Sequence, residues 1–257
     1  WPAFAPIAEA MSGLYTFNRP SEEELKVSPA GALGDTGTGL FAVIAILAAL
    51  RYRETTGKGQ YIDLSMLDSM VAFADIVPNY FSMGRDPRTP SPLINHGFKI
   101  MKGEIVIQIG REHQFNQFAE LLGKEQWLDD PRFTSREGWV ENIELLRETV
   151  HQWAGDNEPI EVCSLLAGAG IAAAPVFTAE DIVNDPHIKS RNMLVEIATD
   201  SGEAALAAGN PIKMAGVRDG TDTPLPSLGE HTNEILASEL RMPLEEIEEL
   251  RREGVIR

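Results

Sequence analysis

Cysteine is almost absent from this sequence, since Cys163 is the only one among 257 residues. A single cysteine excludes an internal disulfide and is typical of a reducing compartment, so we expect a cytoplasmic protein. The surrounding Glu-Val-Cys-Ser-Leu-Leu has the spacing of an amphipathic helix, which favours a buried thiol over a nucleophile. One cysteine and five histidines show no metal-ligand spacing, so we predict no metal.

Basic residues are also scarce, with 22 Lys and Arg against 39 Asp and Glu and a formal net charge of −17. So acidic a surface repels nucleic acid and anionic membranes, and we expect neither as a partner. The longest apolar run, Leu40–Leu50, is too short to span a bilayer and predicts a core helix. No signal peptide is visible, and the start at Trp1 suggests a fragment of a longer polypeptide.

Hydrophobic residues make up 43% of the chain, enough for the core of one large domain or two smaller ones. Residues 31–39 are rich in glycine and predict a loop that leads into a helix over Leu40–Arg53. A strand at Gln60–Leu64 and a helix over Ser65–Met83 are expected next. Prolines between residues 87 and 92 then mark a linker.

The pattern changes beyond the linker. Two β-rich runs around Lys102-Gly103 predict a hairpin that ends at Ile109. Helices are expected at Gln114–Leu122, Trp139–Trp153, Ile160–Gly168, Ala179–Val183 (capped by Thr178), His231–Leu240 and Leu244–Glu253. A buried strand is expected at Ala172–Val176, and two short strands around Val195 and around Ile212. The sequence therefore predicts an α/β protein with domains at residues 1–90 and 91–195 and a return to the first lobe over 196–257.

An ordered set of short motifs covers nearly the whole chain. The segments are Ala10–Leu14, Gly34–Gly39, Ile46–Arg53, Thr56–Gln60, Asp130–Phe133, Ala174–Val176, Asp185–His187, Arg191–Met193 and Leu228–Thr232. This set resembles the class III CoA-transferases of the CaiB/BaiF type, which include formyl-CoA transferase and α-methylacyl-CoA racemase. The resemblance implies a Rossmann-like large domain, incomplete here, a smaller α/β domain and an interlocked homodimer.

The resemblance also implies a nucleophile. In such transferases an aspartate lies seven residues before the serine of the Ser-Gly pair and attacks the thioester carbonyl. Counting back from Ser12 reaches Ala5, which cannot attack. The chemistry has therefore been moved or lost, or the alanine is an engineered substitution, or the carboxylate is displaced to Glu9, one helical turn after Ala5. The simpler interpretation of Glu9 is an exposed helix residue.

Glu112 is a second candidate base. It follows a predicted strand and resembles the racemase glutamate that abstracts the α-proton, with His113 as a possible proton partner. The alternative is that Glu112 only stabilises a helix N-terminus. The glycine loop Gly34–Gly39 leads into an apolar helix, so its backbone N–H groups could meet an anion, and Gly37 and Gly39 are candidates for CoA binding; the default explanation is a tight turn for packing. The resemblance further implies a CoA contact at Leu40, and Ser91–Gly97 as a contributor to substrate specificity.

The resemblance, together with these residues, implies three alternative functions. The first is a CoA-transferase that moves CoA from an acyl-CoA to a small carboxylic acid, with Ala5 in place of the nucleophile. The second is an α-methylacyl-CoA racemase or epimerase that uses Glu112. The third is an inactive paralogue or subunit. The sequence selects neither the acyl group nor the acceptor.

Overall fold

A computed structural model describes residues 4–16, 32–89, 91–198, 204–217 and 226–256. The chain divides into two compact units, Trp1–Pro175 and Val176–Arg257. Helices and small antiparallel sheets alternate, in agreement with the predicted α/β class. Both sheets in the described ranges are antiparallel. The Rossmann-like sheet, the interlocked dimer and the predicted domain boundaries stay predictions.

Four helices begin the first unit. They are α1 (Ala5–Met11), α2 (Leu33–Thr56), α3 (Met66–Phe73) and α4 (Ile76–Ser82). Gly57 ends α2 in the left-handed conformation, with φ of 73°. The Ser65 side chain caps α3 by accepting a hydrogen bond from the Asp68 N–H at 3.2 Å. The helix predicted over Ser65–Met83 is thus interrupted between α3 and α4.

Helix α2 departs most from the sequence prediction. It begins at Leu33, so the expected glycine loop is wrong over residues 33–39: Gly34, Gly37 and Gly39 lie in the first turns of a 24-residue helix, and Gly31 lies outside the described residues. The expected core helix is also not met, because apolar side chains such as Leu40, Ile44 and Leu47 are exposed in the described chain. By length and composition alone α2 could cross a membrane, a test that core helices of soluble proteins also pass. The strand predicted at Gln60–Leu64 is wrong, since these residues form no strand.

A three-stranded antiparallel sheet follows, in the order β1 (Ile94–Ile100), β2 (Gly103–Ile109) and β3 (Ala172–Pro175). The predicted hairpin is confirmed, with Phe98 opposite Ile105 and a turn that places Gly103 at φ of 151°. Strand β3 pairs with β2. Its side chains are exposed or half-buried, so the expectation of a buried strand is wrong because β3 lies at the sheet edge.

Helices α5 (Glu112–Leu121), α6 (Arg136–Glu141), α7 (Ile143–Ala154) and α8 (Pro159–Gly168) complete this unit, with short 3₁₀ turns at Glu125–Leu128 and Pro131–Phe133. The core joins one face of the sheet to these helices. Phe115 stacks on Trp139 with ring centroids 4.5 Å apart, and Trp139 Nε1 donates to the Phe133 carbonyl at 2.7 Å. Cys163 is buried as predicted, and burial raises the pKa of its thiol.

The second unit contains α9 (Ala179–Asn184), α10 (Pro186–Ser190), β4 (Leu194–Ala198), β5 (Ala204–Ala208), α11 (Thr232–Ser238) and α12 (Leu244–Arg252). The predicted cap is confirmed, since Thr178 Oγ1 accepts a hydrogen bond from the Asp181 N–H at 3.2 Å. The strand near Val195 is confirmed as β4, and its antiparallel partner is β5. The strand predicted at Ile212 is wrong, because that residue follows β5 in irregular structure.

Candidate functional site

Ala5, at the position expected for the nucleophile, lies at the contact of two helices. It is the first residue of α1 and only 3% exposed. A Cβ placed on Gly34, in the first turn of α2, would lie 2.9 Å from the Ala5 Cα and 3.0 Å from its Cβ. The two backbones therefore approach so closely that α2 tolerates only glycine there without a shift. Position 5 is a packing position in this chain.

Glu9 lies one turn further along α1 and is completely buried. The interpretation of Glu9 as an exposed helix residue is therefore wrong. Its Oε1 accepts a hydrogen bond from the Gly34 N–H at 3.0 Å, and its Oε2 accepts one from the Tyr15 hydroxyl. Ser12 Oγ donates to the Glu9 carbonyl at 2.8 Å and fixes the end of the same helix.

The contacts of Glu9 explain why a carboxylate is buried here. The first N–H groups of a helix have no partner within the helix, and the N-terminus carries a partial positive charge. Glu9 satisfies one of these groups, at Gly34, from outside α2. Both carboxylate oxygens are occupied and neither meets solvent. Through these hydrogen bonds Glu9 links α1 to the start of α2 and to Tyr15. A catalytic role for Glu9 stays a prediction.

The three residues expected to contact CoA differ in their surroundings. Gly37 is buried, and a Cβ there would lie 2.6 Å from Phe73 Cε2 and 3.1 Å from Met70 Cε. Gly39 has open space where its Cβ would be, and Leu40 is 58% exposed. Gly37 therefore allows close packing of α2 on α3, whereas Gly39 and Leu40 line an accessible surface. A role of all three in CoA binding stays a prediction.

Glu112 and His113 are exposed in the first turn of α5. The neighbouring Gln114, which the sequence prediction passed over, folds back so that its Oε1 accepts hydrogen bonds from the Gly110 and Arg111 N–H groups, both at 3.1 Å. Gln114 thereby caps the helix, and Glu112 adds favourable charge at its N-terminus. The proposed roles of Glu112 as a base and His113 as its proton partner stay predictions.

A cleft of about 540 Å³ lies between α4 and the start of β1, and we call it the linker cleft. Its lining residues are Ile76, Tyr80, Arg85, Asp86, Thr89, Ser91, Pro92, Leu93, Asn95 and His96. The segment Ser91–Gly97, which was expected to contribute to substrate specificity, supplies five of these residues, and the part of the lining from α4 to Thr89 was not predicted. A smaller cavity of about 340 Å³ in the second unit is lined by Arg191 and Lys213 among others. Neither Glu9 nor Glu112 lines either cavity.

Electrostatics in the linker cleft differ from those of the chain as a whole. Burial, followed by the nearby Arg147, lowers the pKa of His96 below its usual range, against a smaller opposing effect of Glu144. The Arg88 guanidinium binds both oxygens of Asp86, at 2.7 to 3.1 Å, and its hydrogen bonds lower the pKa of that carboxyl. Within the described ranges no three His, Cys, Asp or Glu residues converge as metal ligands.

Comparisons with known proteins agree on one family. The profile of CoA-transferase family III matches residues 1–232. The chain is 32% identical over 244 residues to the succinyl-CoA:mesaconate CoA-transferase of Haloarcula hispanica, covering 91% of this chain and 60% of that protein. It is 30% identical over 266 residues to the succinyl-CoA–L-malate CoA-transferase beta subunit of Chloroflexus aurantiacus, covering 99% of this chain and 65% of that protein. The chain thus spans less than two thirds of the length of these relatives.

Solved structures agree with this assignment. A CaiB/BaiF family protein from Brucella suis is 28% identical, with a TM-score of 0.72 over 91% of this chain and 62% of its own. Rv3272 from Mycobacterium tuberculosis has a TM-score of 0.71 at 21% identity, over 91% of this chain and 63% of its own, which supports the fold alone. The recognition from sequence motifs is confirmed. The chain belongs to CoA-transferase family III.

Proposed function

We propose that this chain takes part in moving CoA between an acyl-CoA thioester and a free carboxylic acid. The match of the family profile to residues 1–232 is the observation that carries this proposal. The named relatives from Haloarcula and Chloroflexus transfer CoA from succinyl-CoA to dicarboxylic acids, which makes a short dicarboxylate the first acceptor to test. CoA would enter as the substrate thioester.

The transfer needs a carboxylate, and α1 does not offer an accessible one. Ala5 has no reactive group, and both oxygens of Glu9 are bonded inside the fold. We propose that the acceptor acid supplies the carboxylate itself. One of its oxygens attacks the thioester carbonyl, the C–S bond breaks, and CoA leaves as a thiolate with the bonding electrons. The thiolate then attacks the acceptor carbonyl of the mixed anhydride, and the donor acid departs as a carboxylate.

This direct route predicts a kinetic signature. Both substrates must be bound together, so double-reciprocal plots at several acid concentrations should intersect. A covalent protein intermediate would give the parallel lines of ping-pong kinetics. The test mixes the chain with succinyl-CoA and glutarate and follows glutaryl-CoA by liquid chromatography and mass spectrometry. Parallel lines in the wild-type chain would contradict the direct route, and exchange of the α-hydrogen in deuterated water would favour the racemase alternative.

A non-catalytic role is the second candidate, because the position of the nucleophile is closed by packing. Ala5 is buried against Gly34, and an aspartate there would lie on the same helix face as buried Glu9. If the chain binds succinyl-CoA yet forms no product with any acid, the inactive paralogue or subunit is favoured. A dimer and a cytoplasmic location belong to the same proposal, and sedimentation of the purified chain tests the first of them.

Restoring the aspartate tests both candidates. In Ala5→Asp two carboxylates would share one buried site, which raises the pKa of one of them and costs stability. The double variant Ala5→Asp/Glu9→Gln keeps one negative charge there and should recover most of that loss. If the site is otherwise intact, the double variant should transfer CoA with parallel-line kinetics. Absence of turnover in the double variant, with normal folding, would support the inactive subunit.

A further inference from the structure

Arg85 is the feature of the linker cleft that calls for a ligand. It is an exposed residue three positions after the end of α4, and its guanidinium Cζ lies 5.9 Å from the centroid of the Tyr80 ring. Stacking of this kind holds a guanidinium in place without neutralising it. Within the described ranges, Arg85 has no ion pair with a carboxylate. The cleft therefore contains an oriented cation whose charge is not matched by an anion of the described chain.

The neighbouring charges do not remove this imbalance. Arg88 forms a bidentate ion pair with Asp86, and Arg147 forms an ion pair with Glu144. Of these five charged groups, Arg85 alone has no opposite charge as its partner among the residues that the structure describes. The whole chain carries −17, so an anionic substrate is repelled by most of the surface. A local excess of positive charge is what an anion would need in order to bind.

The remaining walls select the kind of anion. Ile76, Pro92 and Leu93 give the lining apolar surface, while Asn95 and His96 line the cleft with groups that can form hydrogen bonds. Burial lowers the pKa of His96 and so disfavours its charged form, which leaves Arg85 as the unpaired cation of the lining. A guanidinium matches the two oxygens of a carboxylate in a planar fork. A small acid with a hydrocarbon body fits this combination.

We propose that the linker cleft is the subsite for the free carboxylic acid. Arg85 binds a carboxylate of the acid, and the apolar lining residues Ile76, Pro92 and Leu93 cover its methylene groups. This inference rests on the proposed function, since it names the site of the acceptor in the transfer reaction. It assigns a binding role to Arg85 and none in bond making.

Calorimetric titration of the chain with glutarate tests the subsite, and glutaramide serves as the uncharged control. Glutarate should bind, glutaramide should not, and Arg85→Gln should weaken glutarate by about tenfold or more, the usual effect of losing a charged hydrogen bond. Arg85→Lys should fall between them, because it keeps the charge and loses the fork. Arg136→Gln, which removes an exposed arginine in the first turn of α6, should bind as wild type.

A series of acids tests the contribution of the apolar lining residues. From succinate to glutarate to adipate, each added methylene should strengthen binding by about three- to fourfold, until the acid outgrows the cleft. The inference is wrong if glutarate binds wild type and Arg85→Gln equally, or if millimolar glutarate does not bind at all. It is also wrong if CoA, rather than glutarate, loses affinity in Arg85→Gln, since the cleft would then accept the nucleotide.

Kinetics separate the failure of this inference from the failure of the proposed function. With succinyl-CoA and glutarate, Arg85→Gln should raise the KM for the acid and leave the KM for the thioester unchanged. Transfer with an unchanged KM for glutarate would overturn the subsite and leave the function standing. Absence of transfer in wild type, together with glutarate binding that depends on Arg85, would overturn the function and leave the subsite standing.

Discussion

Three glycines in the first turns of α2 allow a graded test of how closely the helices pack. Gly39 is exposed and has open space around its Cβ position, so Gly39→Ala should stabilise the chain by up to about 1 kcal/mol through helix propensity alone. Gly37→Ala gains the same propensity. Its Cβ, however, would lie 2.6 Å from Phe73 Cε2, where carbon atoms normally stay about 3.5 to 4 Å apart.

The cost at Gly37 follows from what must move. Phe73 is 48% exposed and can rotate away, but it then gives up its edge-on contact with Phe41 at a centroid distance of 5.6 Å. Overpacking of this kind costs about 1 to 3 kcal/mol, so Gly37→Ala should be about 0 to 2 kcal/mol less stable than wild type. Gly34→Ala should be less stable than Gly37→Ala, because its Cβ meets the Ala5 backbone Cα, which no side-chain rotation can move out of the way.

Urea unfolding followed by circular dichroism measures the order. We expect Gly39→Ala to be the most stable, then wild type, Gly37→Ala and Gly34→Ala, with similar slopes against urea concentration. Equal stabilities for the three variants would show that α2 does not pack on α1 and α3 as described. A stabilising Gly34→Ala would refute the close approach of α1 in particular.

Three further predictions concern single side chains. Glu9→Ala should lower the free energy of unfolding by about 2 to 4 kcal/mol in the same assay, because it leaves the buried Gly34 N–H without an acceptor. Glu9→Gln should stay within about 1 kcal/mol of wild type, and equal losses in the two variants would contradict a stabilising hydrogen bond between Glu9 and Gly34. Cys163 should react with a thiol reagent only as fast as the chain unfolds, and rapid labelling of the folded chain would contradict its burial. Because folding lowers the pKa of His96, the unfolded chain binds a proton at this residue more readily than the folded chain, and stability should fall as pH drops below about 6.5. His96→Gln should flatten that dependence, and an unchanged pH profile in the variant would exclude His96 as its source.

Local signals in the sequence were sufficient for several elements. Lys102-Gly103 between two alternating runs predicted the hairpin, and Thr178 before an apolar segment predicted a capped helix. These features depend on residues close together in the chain, so the sequence alone contains the determining contacts. The burial of Cys163 was predictable for the same reason, from helical spacing.

The errors share a different cause. The glycines before Leu40 suggested a loop because glycine is a poor helix former. In the structure they lie in a helix, because Ala5, Met70 and Phe73 pack so closely on Gly34 and Gly37 that a Cβ there would clash. The full extent of the linker cleft was not predicted, because its walls come from α4 and from the start of β1, which the linker separates in the chain. Tertiary contacts between distant segments decide both cases, and no local pattern reports them.

Ala5 and Glu9 have to be interpreted together, because both meet Gly34. Glu9 binds the Gly34 N–H, and Ala5 packs on the position that a Gly34 side chain would fill. A buried carboxylate is stable at the first turn of α2 because the helix N-terminus is partly positive, but a second carboxylate one turn away would repel it. As long as Glu9 holds that place, an aspartate at position 5 would be strained, protonated or displaced. This packing supports the proposal that the acid substrate supplies the attacking carboxylate, in which case an arginine that holds that acid matters more for transfer than any residue of α1.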